Sequence, residues 1–112
     1  VAVTRKEDGF YLVMRSKVVE NEQAIEKEWE SVKIDLPEAH LKVEVKFQNE
    51  KDDQKDEATF YYEEAGIWKQ IGEKLALFFR LDHFTGCRFG LFTYATQEIG
   101  GQGSFREFVY RQ

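Results

Sequence analysis

The chain has one cysteine, one proline and one methionine in 112 residues, and it lacks any excess of positive charge. With Cys87 alone, no internal disulfide can form, and cysteine usage does not indicate a compartment. A buried structural thiol beside Gly86 is the expected role of Cys87, ahead of a reactive one. No apolar run approaches the ~18 residues of a membrane span, and no charged-then-apolar leader is present. Sixteen Lys and Arg face twenty-one Asp and Glu, and the net charge of −5 comes with basic residues spread along the chain. Phosphate backbones gain nothing from such a surface, so nucleic acid is not an expected partner, and neither is a membrane. The sequence also has no Gly-X-Ser-X-Gly elbow, no His-Glu-X-X-His pair and no phosphate-cradling glycine loop. Its two histidines, His40 and His83, are far apart and show no metal spacing. Neither has an evident acid partner beyond Asp82, which adjoins His83. No metal and no cofactor is expected.

Aromatic residues are plentiful. Ten Phe, five Tyr and two Trp are the side chains that pleated sheets favour. A hydrophobic share of 42% indicates a globular chain despite 33% charged residues. At this length one domain forms, able to bury roughly 65% of its unfolded surface if it closes its own core. The dominant period is two. Leu41, Val43, Val45 and Phe47 alternate with His40, Lys42, Glu44 and Lys46, which marks a strand with one buried and one wet face. Phe10, Leu12, Met14 and Val18 alternate in the same way. Glu7-Asp8-Gly9, Pro37, Gly66, Gly72, Gly86 and Gly100-Gly101 punctuate the chain at roughly ten-residue intervals, the rhythm of an antiparallel sandwich. Strands are predicted near residues 9–19, 40–47, 57–63, 67–72, 88–94 and 104–110. Between Asn21 and Leu36 the residues alone slightly favour a helix, with Ile25, Trp29, Val32 and Leu36 at helical spacing and Asn21 as a cap. The strand alternative groups Ala24, Glu26, Glu28, Glu30, Val32 and Ile34, a poor buried face at its start.

The acidic residues do not read as a catalytic pair. Glycoside hydrolysis, for example, needs two carboxyl groups facing one another across the scissile bond. Here they sit at turns or beside opposite charge, as Glu44 does between Lys42 and Lys46. The run Asn49 to Glu57 is dense enough in carboxylates to raise a calcium site. Its lysines and its lack of an interior glycine favour a solvated hairpin tip instead. The aromatics offer another chemistry, since the C–H faces of sugar rings stack on Trp, Tyr or Phe. Phe60, Tyr62, Trp68, Phe89, Leu91, Phe105 and Phe108 lie at strand positions where a core needs bulk, and Trp68 is expected to be a core plug rather than a sugar platform. Phe84 differs, because it occupies a loop between Leu81-Asp82-His83 and Thr85-Gly86.

His83-Phe84-Thr85-Gly86, the strand Phe89-Gly90-Leu91-Phe92, the turn Gly100-Gly101 and the aromatic segment Phe105 to Tyr110 follow one another in a distinctive order. Upstream lies the hairpin Phe60-Tyr61-Tyr62 to Trp68-Lys69-Gln70-Ile71-Gly72. Together these resemble the C-terminal part of the concanavalin-like β-sandwich of family-43 glycoside hydrolases, the xylosidases and arabinofuranosidases. Two departures stand out. Ser104-Phe105-Arg106 replaces the family's Asp-Phe-Asp run, and Glu63-Glu64-Ala65-Gly66 replaces the Asp-Gly of its hairpin turn, so roles for those carboxylates are not carried over.

The resemblance implies an all-β jelly roll, with residues 1–112 as a single sandwich domain or a fragment of one, and a strand rather than a helix over 21–36. It also implies a noncatalytic accessory domain of an enzyme acting on plant polysaccharide of the xylan or arabinan type. The catalytic β-propeller, with its carboxylates, would lie outside this chain, and Phe84, flanked by His83 and Thr85, would reach across to help close its substrate pocket. The alternative is a stand-alone carbohydrate-binding sandwich that takes an oligosaccharide on an exposed aromatic such as Tyr61 or Trp68. A start at Val1, directly on a strand pattern, implies an excised piece. Strands missing from either sheet would leave edges that invite self-association.

Overall fold

The computed structural model describes residues 1–46, 56–77, 90–93 and 100–111. It divides into two compact units, Val1–Phe78 and Phe79–Gln112. All regular structure among the described residues is β, in seven strands of the first unit.

Strands β1 (Ala2–Lys6), β2 (Gly9–Glu20) and β3 (Gln23–Ile34) form an antiparallel meander in that order. The long β2–β3 hairpin turns at Asn21 and Glu22, both with positive φ (49° and 63°). That is the primed two-residue turn whose twist matches the flanking strands. The helical spacing over 21–36 is therefore overridden by cross-strand pairing, in which Phe10 opposes Ile34 and Leu12 opposes Val32. The register slips between Met14, opposite Glu30, and Arg15, opposite Glu28, so Trp29 is an extra residue on β3. This bulge resolves the poor face expected for a regular strand. Beyond it, Ile25 rather than Ala24 shares the side of Val32 and Ile34.

The second sheet comprises β4 (Leu41–Lys46), β5 (Asp56–Glu64), β6 (Ile67–Gln70) and β7 (Leu75–Leu77). Strand β5 is central, with β4 on one side and β6 and β7 sharing the other. Its hairpin to β6 turns at Ala65 and Gly66, again with positive φ at both (52° and 78°).

The sheets confront each other through Leu12, Met14 and Ile71, with Val3, Val32, Ile34, Phe60 and Tyr62 packed around them. Val13, on the opposite side of β2, is buried too. One close approach locks the layers together. Gly72 (φ 71°) brings its backbone so near Met14 that an added Cβ would sit 2.8 Å from the sulfur. Its N–H also donates to Glu30 Oε2 at 2.6 Å. Away from this cluster the inner faces thin out: Val18, Ile25 and Trp29 on one sheet, and Leu41, Val43 and Ile67 on the other, are exposed. The face of β4 expected to be buried is thus only partly covered.

Further expectations need correction or fall outside the description. Residues 90–93 and 104–110, predicted as strands, lie outside any strand. Leu91, Phe105 and Phe108, expected in the core, are about half exposed or more. An aromatic alternation specifies a strand only where a neighbouring strand receives it, because β-propensity is largely cross-strand packing. Phe89, Cys87 and most of the acidic run before β5 lie outside the described residues.

Candidate functional site

On the first sheet, the side of β2 away from the core is a charge network. Lys6 donates to Glu28 Oε1 at 3.1 Å and to Ser31 Oγ at 3.3 Å, while Arg15 reaches Glu28 at 3.0 Å and Glu26 at 3.8 Å. The hydrogen bond from Lys6, joined by that from Arg15, holds the Glu28 carboxyl below the usual carboxylate range. The Tyr11 hydroxyl donates to Asp8 at 2.7 Å, which lowers the Asp8 carboxyl and raises the Tyr11 phenol. Every anion here has its cation or donor, which is the arrangement of a solvated structural face.

The second sheet is different on its outer side. Lys42 opposes Tyr61, and Glu44 opposes Thr59. On the other flank Gln70 opposes Tyr61, and Trp68 opposes Glu63. Cross-strand partners point to the same side and residues two apart share it, so Lys42, Glu44, Tyr61, Glu63, Trp68 and Gln70 all project outward together. The Lys42 ammonium lies 4.6 Å from the centre of the Tyr61 ring and 4.9 Å from that of Trp68. Both distances are within the reach of cation–π attraction. The same ammonium pairs with Glu44 at 3.1 Å. Next to this row, Glu63 Oε2 is 3.1 Å from His40 Nδ1, and an open recess of about 230 Å³ is lined by Glu38, Ala39, His40, Glu63 and Ala65.

Trp68 is 41% exposed, so it is not the core plug expected of it. The reason is parity: β6 pairs Trp68 with Glu63 rather than with the Phe60 to Tyr62 run, which puts it on the wet face while Ile71 takes the core position opposite Phe60. The structure therefore brings together Tyr61 and Trp68, the two aromatics named for sugar stacking. Sequence reasoning missed Lys42, Glu44 and the His40–Glu63 pair as their companions. The alternation of β4 placed Lys42 and Glu44 on one face, but only the strand order shows which aromatics they meet. His83, Phe84 and Thr85 lie outside the described residues.

A family model described as the beta xylosidase C-terminal concanavalin A-like domain matches residues 1–111. The chain belongs to that family. No curated protein and no solved structure matches it. Membership makes this chain an accessory domain of a glycoside hydrolase, associated with the catalytic domain of its parent enzyme. The antiparallel architecture, without a helix among the described residues, agrees with the concanavalin-like β-sandwich. Among the described residues no helix is long and apolar enough to cross a membrane, and no group of three His, Cys, Asp or Glu converges as a metal site.

Proposed function

We propose that this chain, one sandwich domain or a piece of one over residues 1–112, packs on the catalytic β-propeller of a hydrolase of xylan- or arabinan-type polysaccharide and helps close its substrate pocket with Phe84. The observation that carries the reading is the family match across residues 1–111, which includes the His83-Phe84-Thr85-Gly86 loop. By sequence pattern, Phe84 falls at no position of a strand alternation, and a glycine follows two residues later at Gly86. The exposed apolar residues Val18, Ile25, Trp29, Leu41 and Ile67 support burial against further protein in the parent. Without that cover, the isolated chain self-associates through its sheet edges. The test is Phe84→Ala in the full parent enzyme, read as kcat/KM on an aryl xyloside or arabinoside. Burying the ring is worth roughly 1.5–3 kcal/mol, so a loss of about tenfold or more is expected at unchanged melting temperature. Unchanged kinetics would return the loop to a structural role.

A second reading is carbohydrate binding by the sandwich itself. It is favoured by one specific observation: Tyr61 and Trp68 stand on the same outer face, and the Lys42 ammonium reaches both rings, 4.6 and 4.9 Å from their centres.

A further inference from the structure

Resting on that second reading, the geometry points to the row Lys42, Tyr61 and Trp68, with Glu44 and Glu63 at its margins, as a binding site for a neutral oligosaccharide and one that discriminates against uronate-bearing sugars. Three features carry it. The first is the shape of the row. Lys42, Tyr61 and Trp68 come from three neighbouring strands, β4, β5 and β6. The Lys42 side chain leans back along this row, its ammonium 4.6 Å from the Tyr61 ring centre and 4.9 Å from that of Trp68, so the three side chains form one compact patch of about the size of a sugar ring. Trp68, 41% exposed, supplies the flat apolar face that the C–H side of such a ring covers.

The second is the polar complement. Lys42 and Glu44 are held together at 3.1 Å. A fixed ammonium donor beside a carboxylate acceptor matches adjacent sugar hydroxyls, one of which accepts while its neighbour donates. Gln70 carries a further donor and acceptor on the same face, its Nε2 donating to the Gly72 carbonyl at 3.2 Å. Glu63, paired with His40 at 3.1 Å, places another acceptor beside Trp68.

The third is the sign of the field, which sets the class of sugar. The Lys42 ammonium is already matched by Glu44, Glu63 stands opposite Trp68, and Glu38 lines the recess that Glu63 shares, in a chain of net charge −5. A sugar carboxylate brought here would compete with Glu44 for Lys42 and add negative charge to the face that already carries Glu63 opposite Trp68. A neutral xylo-oligosaccharide pays no such penalty and uses both members of the ion pair.

The experiment is an NMR titration of the whole chain with xylotriose, in parallel with a xylo-oligosaccharide of equal length bearing glucuronic acid. The two indole N–H signals, assigned with Trp29→Phe, report the two tryptophans separately. Saturable shifts at Trp68 with xylotriose and at least about fivefold weaker binding of the uronate sugar are expected. Trp68→Ala weakens xylotriose binding by about tenfold and Glu44→Gln by about threefold, with melting temperatures close to the parent chain's because both positions are solvent-exposed. Uronate binding at Trp68 as tight as that of xylotriose would overturn the discrimination and leave the carbohydrate reading standing. Saturable shifts confined to Trp29 would overturn the site alone. No saturable shift with either sugar would remove the site and the second reading together, leaving the docking role of the domain untouched.

Discussion

Replacing Gly72 with alanine should be among the most damaging single-methyl additions to this chain, and the structure permits its two causes to be separated. Gly72 has φ 71°, a left-handed conformation in which any Cβ is strained by roughly 1–2 kcal/mol. An added Cβ would also meet Met14 Sδ at 2.8 Å, Cγ at 2.9 Å and Cβ at 3.1 Å. Met14 is 2% exposed and is held in the core cluster with Leu12 and Ile71. It has nowhere to retreat without displacing them, and overpacking of this kind costs about 1–3 kcal/mol. The total is roughly 2–5 kcal/mol, a large share of the ~5–15 kcal/mol that holds a domain folded. Gly66 supplies the control. Its φ is 78°, yet nothing lies within 4 Å of an added Cβ, so Gly66→Ala carries the backbone strain alone. Urea denaturation of both variants should show Gly72→Ala about 1–3 kcal/mol less stable than Gly66→Ala. Shortening the obstacle with Met14→Ala should recover part of the loss, as a coupling of about 0.5–3 kcal/mol. Equal stability of the two alanine variants would refute the proposed contact between the Gly72 turn and β2.

Glu22 occupies a primed turn at φ 63° after Asn21, so Glu22→Gly, which creates the favoured Asn-Gly pair, should stabilise the chain by about 0.5–1 kcal/mol in thermal or urea unfolding; a loss of stability would contradict the turn geometry. The Glu28 carboxyl is depressed in the folded chain by its bonds from Lys6 and Arg15. A depressed carboxyl stabilises the fold above its unfolded pKa, near 4.3, and that contribution disappears as pH falls through the lower folded value. Glu28→Gln should therefore flatten the stability profile below about pH 4.5 and leave its shape near pH 7 unchanged; an unaltered acid limb would show the pair to be fully screened.

The sequence by itself determined the class of fold, because period-two alternation survives any arrangement of neighbours: Leu12 and Met14 fall inward on β2, and Phe60 and Tyr62 fall inward on β5. It also marked the turn at Gly66, which suits positive φ whatever packs on it, whereas Asn21, read as a helix cap, became a turn only through the pairing of β2 with β3. Tyr61 and Trp68 were legible as candidates for a sugar surface, but not as one surface. Periodicity gives each strand two faces without saying which is wet, and a shift of one residue exchanges them. The pairing of Trp68 with Glu63 made that choice, moving Trp68 from core to surface, and the β4-β5-β6 order then brought Lys42 against both rings. The bulge at Trp29 was equally invisible, because an extra residue appears only against a partner strand that lacks it. Its indole Nε1 donates to Ser16 Oγ at 2.8 Å on the facing strand, a contact between residues thirteen apart in the chain. Local pattern fixes what a strand can offer, and tertiary pairing decides which neighbour receives it.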